Sequence, residues 1–270
     1  MTDVDRLADW LERTGRVTVL SGAGLSTESG IPDYRGPTGA ARPATPMTIQ
    51  VFTGSAGAQQ RYWARSHLGW RTIAGARPNT GHLAVAALGD RLAGVITQNV
   101  DGLHGAAGSH DVVELHGNLD RVVCLRCGDV SSREALDGRL REANPHWTAR
   151  VTAVKPDGDV ELDGTDGFHV VACQVCAGVL KPDVVFFGET VPRERVQHSF
   201  ALVEQARALV VLGSSLTVMS GYRFVLRAAK LGLPVAIVNQ GSTRGDAQAR
   251  VCLDAPLGPA LTALVGRLAA

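Results

Sequence analysis

Val17-Thr18-Val19-Leu20-Ser21-Gly22-Ala23-Gly24 decides the fold. Residues 17–20 are a short, mostly β-branched apolar run, which reads as a buried strand, and the glycines after it turn the chain at the strand's carboxyl end. The pattern recurs. A strand at 95–97 ends in Gln98-Asn99, one at 112–115 ends in His116-Gly117, and 184–187 reads as another. The run at 209–212 meets Gly213-Ser214-Ser215, and that at 235–239 meets Gln240-Gly241. Helical patterns lie between them, at 2–13, at 80–88 with Thr80 as the expected cap, and at 192–208, 219–231 and 259–268. Strands alternating with helices predict an α/β fold, a Rossmann-like parallel sheet covered on both faces. In such sheets ligands sit at the carboxyl ends of the strands, where these loops are.

The segment 121–179 breaks the rhythm and carries Cys124-x2-Cys127 and Cys173-x2-Cys176, 45 residues apart. Each pair bites one metal through a tight turn, and four thiolates complete a tetrahedral zinc site with no open position. A structural zinc is therefore expected, in a small module inserted into the larger domain. The predicted division is 1–120 with 180–270 as the Rossmann-like domain and 121–179 as the zinc module, to which 36–78 adds a helical or loop part. The stretches 38–46 and 53–58, rich in Gly, Pro and Ala, read as mobile loops, and Cys252 as a buried apolar residue.

Composition narrows the function. The 270 residues carry 27 Lys and Arg against 26 Asp and Glu, so the basic excess that non-specific nucleic-acid binding needs is missing. No apolar run reaches the roughly 18 residues of a membrane span. The opening Met1-Thr2-Asp3-Val4-Asp5 is acidic where a secretory leader is basic, so a cytoplasmic protein is expected, with partners that are neither nucleic acid nor membrane.

The chemistry concentrates at the strand ends. Gly22-Ala23-Gly24 lets a phosphate approach backbone amides, yet it departs from the dehydrogenase fingerprint: Thr27 stands where the third glycine belongs, and 41–45 lacks the ribose-binding acid. Asn99 and Asp101 offer an amide and a carboxylate for sugar hydroxyls or a carboxamide. His116, after an apolar strand, is the candidate general base.

These motifs together resemble the sirtuin family. Gly22-Ala23-Gly24-Leu25-Ser26-Thr27-Glu28-Ser29-Gly30-Ile31-Pro32-Asp33-Tyr34-Arg35 is similar to the family signature, with Leu25 for Ile and Tyr34 for Phe. Gln98-Asn99-Val100-Asp101, His116-Gly117, the four cysteines, Val185-Phe186-Phe187-Gly188-Glu189, Gly213-Ser214-Ser215 and Asn239 follow in the family's order. Arg61-Tyr62-Trp63-Ala64-Arg65, Gly69-Trp70 and Ser220-Gly221-Tyr222-Arg223-Phe224 resemble its class II.

The resemblance implies an NAD-dependent protein lysine deacylase that releases nicotinamide and O-acyl-ADP-ribose. Mono-ADP-ribosyl transfer is the alternative on the same scaffold. It implies NAD and one structural zinc, with acyl-lysine proteins or peptides as substrates. Gly22, Ala23, Gly24, Ser26, Thr27, Gly213, Ser214 and Ser215 would cradle the phosphates, and Asp33, Tyr34 and Arg35 would lie on a cofactor loop. Gln98, Asn99 and Asp101 would line the ribose and nicotinamide pocket, and Asn239, Gln240, Gly241 and Leu257 the adenosine end. His116 would act as the base, with Asn99 beside it. Val185, Phe187, Gly188 and Glu189 would meet the acyl-lysine peptide. Tyr62 and Arg65 have the Tyr-x-x-Arg spacing with which some sirtuins hold acidic acyl chains; at i and i+3 on a helix they would share a face.

Overall fold

The computed structural model describes residues 3–33, 47–154 and 160–268. Helix α1 (Asp3–Thr14) leads into β1 (Val17–Ser21), and a 3-10 segment follows at Ala23–Ser29. Next come α2 (Ile49–Gly54), α3 (Ala56–Gly75) and α4 (Thr80–Ala86). Then β2 (Leu92–Thr97), α5 (Leu103–Ala106) and β3 (Val112–Glu114) complete the first half.

The middle of the chain supplies β4 (Gly117–Cys124), β5 (Val130–Ser132), α6 (Arg133–Ala143), β6 (Val151–Val154), β7 (Val160–Leu162) and β8 (Leu180–Val184). The chain then returns through α7 (Arg193–Gln205), β9 (Ala208–Leu212), α8 (Met219–Lys230), β10 (Val235–Asn239), β11 (Val251–Asp254) and α9 (Leu257–Leu268).

Six strands form one parallel sheet in the order β11-β10-β9-β1-β2-β3. Alternate side chains explain its two cores. Val17, Val19, Val95, Val210 and Val238 pack against α1, α4 and α9, whereas Leu20, Ile96, Leu209, Val211 and Ile237 pack against α7 and α8. Both faces are covered, so β1, β2, β9 and β10 are almost wholly buried and mainly apolar, Thr18, Ser21 and Thr97 being hydrogen-bonded. The order runs outward from β1 to β3 on one side and from β9 to β11 on the other. The topological switch point therefore lies between β1 and β9, and the crevice there opens at Gly22-Ala23-Gly24 and Gly213-Ser214-Ser215.

A three-stranded antiparallel sheet, β5-β4-β8, and the β6–β7 hairpin form a second unit with its own core, in which Phe52, Trp63, Val122, Leu140, Phe168 and Leu180 are buried. Its strands β4 and β8 reach Gly117 and Val184, beyond the 121–179 segment on both sides. Helix α3 joins α6 through a buried knot: Asp137 lies 3.0 Å from His67 and 2.8 Å from Arg141, and Arg133 stacks over Trp63 and Trp70.

Several expectations are corrected. The strand expected at 184–187 ends at Val184 and begins at Leu180; it belongs to the small antiparallel sheet, as an edge strand that tolerates Pro182. The expected loop at 53–58 is helical, because Ser55 Oγ accepts the Ala58 amide and starts α3 among helix-favouring alanines. Asn79, not Thr80, caps α4, its Oδ1 accepting the Gly81 and His82 amides at 2.9 and 3.2 Å. Cys252 is exposed on β11, an edge strand whose Leu253 takes the inward position. The 38–46 stretch lies outside the described residues, as do Tyr34 and Arg35.

Candidate active site

At the switch point the two loops press together. A Cβ on Gly22 would stand 2.7 Å from the Gly213 oxygen and 2.8 Å from Ser214 Cβ, so only glycine lets them meet. Gln98, at the end of β2, reaches across β1: its Nε2 donates to Ser214 Oγ at 2.8 Å and to the Ser21 carbonyl at 3.3 Å. Three strand ends are thus locked into one rim.

Below the rim Asn99 Nδ2 donates to the Gly22 carbonyl at 3.0 Å and to Ser26 Oγ at 2.9 Å, and Ser26 Oγ donates to Asp101 Oδ2 at 2.7 Å. Asp101 Oδ1 accepts the Leu103 amide at 3.0 Å. Amide, hydroxyl and carboxylate are held in one chain with fixed donor directions.

His116 follows β3. Its Nδ1 lies 2.9 Å from the Gln98 carbonyl, which can only accept, so Nδ1 carries the proton and Nε2 is the basic nitrogen. Nε2 lies 2.9 Å from Ser220 Oγ, in the first turn of α8. Burial holds the imidazole below its ordinary 6.5; the Gln98 carbonyl opposes this, while Arg195 and Arg223 reinforce it. The imidazole is neutral at pH 7. Gly117, at φ +88°, lets β4 pass so close to β8 that a Cβ there would run into the Asp183 carbonyl. That approach lets the Val185 amide donate to the His116 carbonyl at 2.8 Å.

Residues 185–189 form the opposite wall. Glu189 Oε2 accepts from the Phe186 amide at 2.9 Å and from buried Lys181 Nζ at 3.1 Å, while 41 % exposed Phe187 pairs with Thr48 in a single parallel bridge.

These parts enclose a cavity of about 580 Å³. It is lined by Gly22, Ala23, Gly24, Ser26, Thr27 and Asp33, by Gln98, Asn99, Asp101 and His116, and by Gly213, Ser214 and Ser215. Val185, Phe187, Gly188 and Glu189 close one side, and Asn239, Gln240 and Leu257 the far end. Gly241 is not part of the lining, although Ser242 is. Tyr62 lines the cavity, stacked edge-on to Phe52 and 5.2 Å from the Phe186 ring; Arg65, half-buried one turn on, does not. Three residues advance a helix by 300°, so the two share a side of α3 without sharing its inward direction. Ser220 and Arg223 also line the cavity and were not singled out as site residues from the sequence. Their sequence signal is the Ser220-Gly221-Tyr222-Arg223-Phe224 motif, which opens α8 after the Gly213-Ser214-Ser215 loop.

The four cysteine sulfurs lie within 4.8 Å of one another, with Cys124–Cys176 at 3.5 Å and Cys127–Cys173 at 3.8 Å. A tetrahedron with metal–sulfur bonds of about 2.3 Å has edges of about 3.8 Å. The Arg126 and Val175 amides donate to Cys124 and Cys173 Sγ, each at 3.4 Å, as thiolates at a metal require. The donor set fits zinc and leaves no open position.

The model of the Sir2 family matches residues 22–220. The chain belongs to the Sir2 family. It is 60 % identical to the NAD-dependent protein deacetylase 1 of Streptomyces coelicolor, over 99 % of this chain and 90 % of that one. It is 52 % identical to the corresponding Mycobacterium avium protein, over 94 % and 92 %. Among solved structures, a Sir2 complex with a p53 peptide and NAD+ aligns with a TM-score of 0.79 at 28 % identity, covering 98 % of both chains. A Sir2 enzyme bound to acetylated peptide aligns at 0.77 and 26 %, again over 98 % of both. The sheet with its switch-point crevice and the four-cysteine module make up the Sir2 fold in this chain.

Proposed function

We propose that the protein is an NAD-dependent protein lysine deacylase, releasing nicotinamide and O-acyl-ADP-ribose. The observation that carries the reading is His116, a buried neutral imidazole whose basic Nε2 faces the same cavity as a glycine cradle and a peptide-sized wall. The names of the deacetylase relatives support it.

The cradle fits a pyrophosphate, since Gly22, Ala23, Gly24, Gly213, Ser214 and Ser215 carry nothing larger than a hydroxymethyl group. NAD bound there supplies the nicotinamide leaving group and the ribose carbon that the acyl oxygen captures. Ser26, Thr27 and Asp33 extend that cradle. Asn99 and Asp101, prebonded through Ser26, orient ribose and carboxamide without reorganising. Gln98 braces the rim, and Asn239, Gln240 and Leu257 hold the adenosine end. His116 Nε2 takes a proton from the sugar hydroxyl presented to it, while Nδ1–H stays on the Gln98 carbonyl. Val185, Phe187, Gly188 and Glu189 receive the peptide, with Glu189 fixed by Lys181.

Zinc on Cys124, Cys127, Cys173 and Cys176 has a structural role, holding β4 against the segment before β8. The division into 1–120 with 180–270 and 121–179 keeps its two units but not its bounds: the small sheet runs from Gly117 to Val184, and Phe52 and Trp63 of α2 and α3 pack in its core. A cytoplasmic setting is in keeping with the absence, among the described residues, of any helix long and apolar enough to cross a membrane. The near-zero net charge argues against a nucleic-acid partner.

Incubating acyl-lysine peptides with NAD and reading the products by mass spectrometry tests the reading. Free lysine peptide with O-acyl-ADP-ribose is expected. An ADP-ribosylated peptide with its acyl group intact would replace it by mono-ADP-ribosyl transfer.

A further inference from the structure

Among the described residues the His116 ring makes two hydrogen bonds, and neither partner is a carboxylate. Nδ1 is held by a carbonyl, which has one role only. Nε2 meets the Ser220 hydroxyl, which can donate or accept. Among the described residues the charged side chains acting on the ring, Arg195 and Arg223, are both cationic. Arg195 comes from α7 and is itself bonded to Asp183 at 3.1 Å; Arg223 comes from α8, three residues beyond Ser220. A base that accepts a proton here becomes a buried imidazolium beside two guanidiniums. No anion bonds to it, so the new N–H needs an acceptor at Nε2.

We propose that Ser220 is the positioning residue for His116, a reversible partner whose hydroxyl donates to the single Nε2 lone pair in the free protein, gives that lone pair up when a sugar hydroxyl is presented to it, and turns to accept from Nε2–H once the imidazole is charged. The inference rests on His116 being the base and adds what keeps its protonated form tolerable. The hydroxyl is placed for the task, because α8 begins at Met219 and its first turn opens onto the cavity beside the ring.

The test uses the zinc-loaded, NAD-free protein with isotope-labelled histidine, following the His116 ring by NMR as pH is lowered. Ser220→Ala and Ser220→Thr are compared with the wild type, and His116→Ala assigns the signal. Hydrogen bonds to a charged partner are roughly twice as strong as neutral ones. Ser220→Ala is therefore expected to lower the His116 midpoint by about one pH unit, and Ser220→Thr to leave it near the wild-type value. A purely structural role gives the opposite sign, since a loosened, wetter pocket raises the midpoint toward 6.5. An unchanged or raised midpoint in Ser220→Ala overturns the proposal.

The acid limb of kcat/KM should move down with the midpoint while the plateau falls about tenfold, as expected for a group acting through the base. The two readings fail separately. A lowered midpoint together with full turnover in His116→Ala would leave the Ser220 contact standing and remove His116 as the base.

Discussion

His104 offers a measurable prediction about the ground beneath the site. It is 2 % exposed, in the short helix after Asp101. Ser21 Oγ donates to Thr97 Oγ1 at 2.9 Å, so the 2.8 Å contact between Ser21 Oγ and His104 Nε2 must be a donation from the ring. Nδ1 has no hydrogen-bond partner among the described residues, and the His82 ring stands 5.0 Å away. Burial, with His82 adding to it, pushes the His104 pKa down to about 3 from 6.5. The native state keeps the ring neutral, whereas the unfolded chain binds a proton as pH falls below 6.5. Stability is therefore fully present above that pH and is lost progressively toward pH 3. Between pH 7 and pH 5 this one group removes about 2 kcal/mol, roughly a thirtyfold change in the folding equilibrium.

His104→Gln keeps a nitrogen donor for Ser21 and removes the titration. Urea unfolding of both proteins at pH 7, 6 and 5, followed by circular dichroism, isolates the term, because any acid effect on the zinc site is common to both. The variant is expected to lose about 2 kcal/mol less than the wild type over that range. Equal losses would refute the reasoning. The effect bears on function because Ser21 and Thr97 directly precede Gly22 and Gln98, so charging His104 loosens the strand ends that carry the rim.

The remaining predictions concern the metal, the base and the acyl end. Metal analysis should find one zinc per chain, and Cys124→Ser should release it and unfold the small module, since structural zinc contributes roughly 10 kcal/mol or more to such units; active, zinc-free protein would contradict this. His116→Ala or His116→Tyr should lower deacylation by about a hundred- to ten-thousandfold with the circular dichroism spectrum unchanged. In the wild type kcat/KM should fall only below pH 6.5, because burial lowers the His116 pKa; a limb above 6.5 would assign it to another group. Arg65→Met should leave the ratio of glutaryl- to acetyl-lysine turnover unchanged, as Arg65 does not line the cavity. Loss of an acidic-chain preference of about ten- to a hundredfold would restore the Tyr62–Arg65 clamp.

What was legible in the sequence was local chemistry at strand ends. Gly22, Asn99, His116 and Ser214 each follow an apolar run, and a parallel sheet brings all such ends to one edge whatever the intervening helices do. The cysteine pairs were legible for a similar reason, because each Cys-x2-Cys turn forms half a tetrahedron by itself. A local signal misleads where a neighbouring contact overrides it. The run Val184-Val185-Phe186-Phe187 looks like a strand, but the ladder begins at Leu180, because Lys181 can be buried once its Nζ finds the Val184 carbonyl and Glu189. Thr80 and Asn79 are both capping residues, and the one whose amide also reaches the Leu25 carbonyl and Ser29 is the cap.

Ser220 could not be read this way, since its role exists only across 104 residues of chain. The route by which it meets His116 is nonetheless set by the fold. β3 lies at one edge of the sheet, two strands from β1, while β9 lies on the other side of β1. A histidine after β3 and a serine after β9 can therefore meet only above the switch point, over the ends of β1 and β2. Gln98, whose carbonyl holds Nδ1 and whose side chain holds Ser214, spans that gap. One residue thus fixes the tautomer of His116 and the position of the loop that leads to Ser220, which couples the glycine rim to His116 Nε2 through three hydrogen-bonded strand ends.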